Sequence, residues 1–200
     1  MSDVPQYVPK LTCTKISTSA VTYHLSTGKP LGGWVLATVN DETGELQIMS
    51  DWGSWSHRWN TDHLGSPSLT HFIGDRAGVH YLADKLTSRD EAHQFDPDAT
   101  VKNLRARILE LRRDWRTSHL TAREARDLWD EMGGDLRDCT SFELFVERFY
   151  RIDGSNFVSE RIWEDEAVVF KPSTGYMVLL HGILPALAQA CAQRVRAVAS

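Results

Sequence analysis

The stretch Trp34-Val35-Leu36-Ala37-Thr38-Val39-Asn40-Asp41-Glu42-Thr43-Gly44-Glu45-Leu46-Gln47-Ile48-Met49-Ser50 decides the fold. Its flanks, Trp34–Val39 and Glu45–Ser50, carry β-branched and large apolar residues, while Asn40–Gly44 is turn material. Two antiparallel strands joined by a hairpin loop are expected. Toward the N-terminus, polar and apolar residues partly alternate through Lys10–Leu25, and Thr27-Gly28-Lys29-Pro30 and Gly32-Gly33 supply turns. Toward the C-terminus, Asp51-Trp52-Gly53 reads as a turn or bulge. Ser54–Trp59 then reads as a further strand, with Trp55, His57 and Trp59 on one face at period two. Residues 10–60 therefore form a curved antiparallel meander.

After residue 65 the apolar period becomes helical. Ser66-Pro67-Ser68 precedes a short helix with Leu69, Phe72 and Ile73, and Ala77–Leu86 forms another with Tyr81 and Leu82 inward. Asp96-Pro97 pairs an N-cap carboxylate with Pro at the first helical position and starts a helix running to about Thr117. Thr121-Ala122-Arg123-Glu124 and Thr140-Ser141-Phe142-Glu143 read as capping boxes, for helices ending near Gly133-Gly134 and Asp153-Gly154. A last helical stretch from about Ser173 is expected to bend at Pro185, which has no N–H for the His181 carbonyl. Sheet first and helices after implies an α+β fold, a β-meander packed against a C-terminal set of α-helices. The chain reads as one domain over 1–200, sheet at 10–60 and helices at 66–196.

A 200-residue chain buries roughly 70% of its unfolded surface and needs no metal or disulfide to fold. Seven Trp, seven Phe and five Tyr supply bulky core material. A net charge of −5 argues against whole-surface attraction to nucleic acid or acidic lipid. Cys13, Cys139 and Cys191 are an odd set without metal spacing, which suits a reducing cytoplasm. Met1–Pro5 lacks the features of a signal peptide. The most apolar stretch, Tyr176–Ala192, is interrupted by His181, Gly182, Pro185 and Gln189 and is short of the about 20 residues a span needs, so a buried or amphipathic helix is expected.

Three constellations carry chemistry. On the helix after Asp96, Val101, Leu104, Ile108, Leu111 and Trp115 form an apolar stripe, and Lys102, Arg105, Arg112, Arg113 and Arg116 gather on the adjacent face. Lys102–Arg126 holds eight Lys/Arg and three Asp/Glu, whereas Asp127–Glu147 holds seven Asp/Glu and one Arg. The basic face either pairs with neighbouring helices, is simply solvated, or meets an acidic partner or phosphate. In the second constellation Trp52, Trp55 and Trp59 with His57 and Arg58 either close the core or form a recognition surface able to stack a base. The third is a set of acid–base pairs. His71/Asp75 and His80/Asp84 are four apart and His63 follows Asp62, but solvated helix residues account for them better than a metal site. His181 beside Gly182 reads as a buried histidine. Asp51 and His57 are an acid–base candidate with no nucleophile nearby. GxSxG, P-loop, GxGxxG and HExxH patterns do not occur.

The order of several short motifs resembles a group of accessory proteins of tailed bacteriophages and prophages. Carrying the resemblance are Ser50-Asp51-Trp52-Gly53 with Trp55 and Trp59, Leu64-Gly65-x-Pro67-x-Leu69-Thr70-x-Phe72, and Tyr81-x-x-x-Lys85-Leu86. Phe95-Asp96-Pro97-Asp98-Ala99-Thr100-x-Lys102 and Leu184-Pro185-Ala186-Leu187 before Cys191 complete it, over about residues 34 to 195. The group often has a smaller aromatic after Asp-Trp-Gly, where this chain has Ser54-Trp55. It implies an accessory gene product in the bacterial host cytoplasm and brings no catalytic residues. The leading expectation is a non-enzymatic protein, without cofactor or metal, that binds a bacterial host protein or complex such as a CRISPR-Cas defence system. The alternative is nucleic-acid or nucleotide binding through the basic helix 102–116 and the Trp-rich strand. A hydrolase centred on Asp51 and His57 ranks third.

Overall fold

A computed structural model describes residues 12–13 (backbone only), 20–26, 33–113, 120–134, 136–152 and 167–199. Trp115, Arg116 and the side chain of Cys13 lie outside the described residues. The strands are β1 (Thr12–Cys13), β2 (Val21–Ser26), β3 (Trp34–Asn40), β4 (Glu45–Ser50), β5 (Gly53–Arg58), β6 (His93–Phe95) and β7 (Phe170–Pro172). The helices are α1 (Leu69–His71), α2 (Val79–Leu86), α3 (Arg89–Ala92), α4 (Pro97–Arg113), α5 (Ala122–Glu131), α6 (Phe142–Ile152), α7 (Thr174–Val178) and α8 (Leu184–Ala199). Two π-helical segments, Phe72–Arg76 and Leu179–Ile183, continue α1 and join α7 to α8. The elements make an α+β fold. The sequence reads as one domain; the contacts group it into two units, residues 1–92 with 172–200, and residues 93–171.

In the first unit the sheet is an antiparallel meander in the order β1-β2-β3-β4-β5. Strand alternation places Val21, Tyr23, Leu25, Val35, Ala37, Val39, Leu46 and Ile48 in the core, and His24, Gln47 and Met49 outside. The register pairs His24 with Leu36 and Leu36 with Met49, and a one-residue slip would turn every core residue to solvent. Asn40 Oδ1 accepts the Glu42 and Thr43 N–H groups, and Gly44 takes a φ of 69°, which closes the β3–β4 loop. Asp41 in that loop accepts both the backbone N–H and the hydroxyl of buried Thr70, at 2.7 and 3.0 Å. The loop is thereby fastened to α1.

Helices from both ends of the unit cover the sheet. Leu69, Ile73, Leu82, Leu86, Leu179, Ile183, Leu184 and Leu187 are buried against the strands. Gly74 permits the closest crossing, since a Cβ there would stand 2.8 Å from the Ala192 backbone nitrogen. Before Pro185 the chain does more than bend. The π segment bonds the Leu184 N–H to the Leu179 carbonyl, so α8 restarts with Pro185 in its first turn, where no donor is required. The same segment leaves His181 exposed rather than buried. Thr174–Ala199 is long and apolar enough by composition to cross a membrane, longer than its apolar stretch suggests, but half of its most apolar window is buried. Tyr81, expected inward, is 41% exposed, because its phenol sits at the rim and accepts the Trp59 Nε1–H at 3.1 Å. Ser173 N donates to the Ala92 carbonyl at 2.9 Å and its hydroxyl to Glu91 O at 2.8 Å, so the unit closes on itself where the chain leaves and returns.

The second unit is helical, with β6 and β7 paired. Asp96 caps α4 through the Ala99 N–H at 3.1 Å and pairs with Lys171 at 3.3 Å. Val101, Leu104 and Ile108 are buried as the stripe predicts, with Ala125, Leu128, Met132, Leu136, Phe145 and Phe149, while Leu111 is only partly buried. Thr121 and Glu124 form the expected capping box. The second expected box does not form: Ser141, not Thr140, caps α6 by accepting the Leu144 N–H, and Leu144 at the third helical position has no polar side chain to complete a box. Phe142 then opens the helix and its ring meets Phe95 and Phe170, at 5.7 and 5.9 Å. Cys139 and Cys191 are buried thiols, one in each unit.

Leu104→Ala is expected to cost about 2–5 kcal/mol in chemical denaturation, and Leu111→Ala clearly less because that side chain is only half-buried. Equal losses would show that the apolar phase of α4 is misplaced. Gly74→Ala is expected to destabilise by about 1–3 kcal/mol, as overpacking does, and unchanged stability would show that the helices separate at no cost.

Candidate functional site

The basic face of α4 divides in the structure. Arg105 turns inward: one guanidinium nitrogen donates to the Trp129 carbonyl at 2.8 Å and the group lies 4.9 Å from the Trp129 ring. Its cation sits at the C-terminal end of α5, where helix carbonyls lack partners. Lys102, Arg112 and Arg113 are exposed. Arg107, on the same helix, pairs with Glu110 at 3.2 Å.

Helix α5 completes what α4 begins. Leu109 and Arg112, one turn apart on α4, face Ala122, Arg123, Ala125, Arg126, Trp129 and Asp130 of α5 across a groove of about 540 Å³. On α5 these positions fall at helical spacings of three and four, so a single face carries them. Arg123 pairs loosely with Asp127, 3.8 Å away, and its side chain is 92% exposed. Among the described residues Arg112 and Arg126 have no ion pair. The acidic run Asp127–Glu147 reaches this groove only in part: Asp130 lines it and Asp127 meets Arg123, while Arg137 of the run pairs with Asp98 at 3.7 Å and its Glu147 with Arg151. Three guanidinium groups around one hollow repel one another, and an anion entering it relieves that repulsion. Arg123, Arg126 and Trp129 were not singled out by the stripe on α4. The signal for them is Arg123-x-x-Arg126-x-x-Trp129 starting within a capping box, which puts all three on one helical face.

The Trp-rich stretch packs to differing depths. Trp59 is 7% exposed and lies against Phe72, with the His57 ring edge-on at 4.5 Å. Trp52 and Trp55 are half-buried against the core, and the Trp52 ring occupies the space over Gly33, where a Cβ would stand 2.1 Å from Cη2. Arg58 is exposed and donates to the Thr43 carbonyl at 3.0 Å. Asp51 and His57 are not brought together. Asp51 sits in the β4–β5 turn and accepts the Trp34 N–H at 3.1 Å, while His57 lies at the far end of β5. His71 and Asp75 do meet, at 3.7 Å, but among the described residues no three His, Cys, Asp or Glu side chains converge as metal ligands would.

The described residues thus make an α+β protein with a helix-covered meander in one unit and an arginine-lined groove in the other. The chain belongs to a phage protein family, phiTE_072, whose family model matches residues 14–193. No curated protein and no solved structure shows significant similarity to it.

Burial of His57 beside Trp59, followed by the field of Lys85, lowers its pKa below the ordinary 6.5. The unfolded chain then binds the proton first, so stability falls as pH drops through about 6.5 toward the folded pKa. In an NMR titration the His57 ring is expected to show a midpoint below 6.5, and His57→Gln should remove that part of the acid sensitivity. A midpoint at or above 6.5 would contradict the packing described for this ring.

Proposed function

We propose that the protein is a phage accessory factor that acts by binding, without catalysis of its own, a protein or complex in the cytoplasm of the infected bacterium. A defence assembly such as CRISPR-Cas is the kind of target this reading favours. Membership of a phage family supports the setting. The observation that carries the binding role is the groove between α4 and α5, where Arg112 and Arg126 face a hollow with no ion pair among the described residues. Surface charges held this way contribute little to folding. They steer a partner of opposite charge and fix its register.

The test is a pull-down of the tagged full chain from infected bacteria, wild type beside the double variant Arg112→Glu, Arg126→Glu. Both substitutions are at exposed sites, so the melting curve should change by no more than about 0.5 kcal/mol. The variant is expected to lose a protein that the wild type retains. A wild-type chain that retains no bacterial protein, or a folded variant that retains it in full, would overturn this function.

A further inference from the structure

Resting on that binding role, we propose that the groove between α4 and α5 takes an acidic segment of a partner protein that carries a bulky apolar side chain between its carboxylates. Each part of the lining names a part of this occupant. Arg112, Arg123 and Arg126 form a rim of forked cations that match carboxylates two bonds at a time. Leu109, 40% exposed, and Ala122, Ala125 and Trp129 give an apolar floor. The two alanines are short enough for an incoming side chain to approach the α5 backbone. An aromatic or aliphatic anchor in such a hollow, ringed by charge, is how protein interfaces concentrate their affinity.

The same lining disfavours a phosphate backbone. Asp130 stands in the groove beside the arginines, and Asp127 lies within 3.8 Å of Arg123. A polynucleotide crossing here would meet like charge at Asp130 and, beside Arg123, at Asp127. A peptide can satisfy Asp130 with a backbone N–H or a hydroxyl. Phosphate tracking also calls for a continuing row of cations, and the groove holds one cluster. One face of the Trp129 ring is already covered by Arg105, which leaves less of it for a stacked base.

The test places a photo-crosslinking residue, p-benzoylphenylalanine, at position 109 of the tagged full chain in infected bacteria. Position 106, one turn earlier on α4, replaces it if position 109 itself blocks capture. After irradiation the adduct is identified by mass spectrometry. The expected adduct is a peptide with Asp or Glu on both sides of an apolar residue, formed at least tenfold less by the Arg112→Glu, Arg126→Glu variant. Changing the acidic residues of that peptide to Arg is expected to restore capture by the variant. A nucleic-acid adduct, or a peptide without carboxylates, overturns the proposal. If the wild type retains the partner and the Arg112→Glu, Arg126→Glu variant loses it, but neither position crosslinks to it, the groove does not seat the segment and the binding role alone survives. If the wild type retains no protein, both fall.

Discussion

The backbone of Gly74 meets the backbone of α8 at Ala192 with no room for a side chain between them. Much of the first unit rests on that crossing. A meander with one apolar face must be covered, and an antiparallel sheet supplies no helix of its own to do so. Here the cover comes from chain segments far apart in sequence, α1 and α2 on one side and α7 to α8 on the other. They reach the sheet together only if they interlock. The π segment Phe72–Arg76 holds Gly74 itself, and a second π segment, Leu179–Ile183, precedes α8. Asp41 then ties the covered layer to the hairpin through the two donors of Thr70.

Local chemistry made much of this legible. Alternation along Trp34–Val39 and Glu45–Ser50 sets the central hairpin, because a half-buried strand has no other stable pattern. The Asp96-Pro97 start and the Thr121–Glu124 box are complete within four residues, and both helices begin where those residues say. What escaped depends on distant partners. Tyr81 is turned to the rim by a bond to Trp59, 22 positions away. Arg105 leaves the basic face for a carbonyl on another helix, and Ser141 rather than Thr140 caps α6. No linker composition marks the division into two units, since the chain passes from α3 directly into β6. The groove was half visible: α4 shows its cations in sequence, but their meeting with Arg126 is a product of helix packing.

The second unit separates two uses of arginine. Arg105 gives up its charge to the interior, donating to a helix end and lying on an indole, and is part of the architecture. Arg112 and Arg126 keep theirs at the surface, where solvent makes the cost of crowding small until an anion arrives. The chain is acidic overall, at −5, yet among the described residues Arg112, Arg123 and Arg126 gather positive charge around one groove.

The hydrogen bond from Ser173 to the Ala92 carbonyl brings the two splice points of the first unit together. Everything between them, from β6 to β7, is in effect an insert threaded into a finished framework. Sites whose ends already touch tolerate large exchanges of what lies between. The framework of the first unit and the segment between Ala92 and Ser173 can therefore change independently of one another.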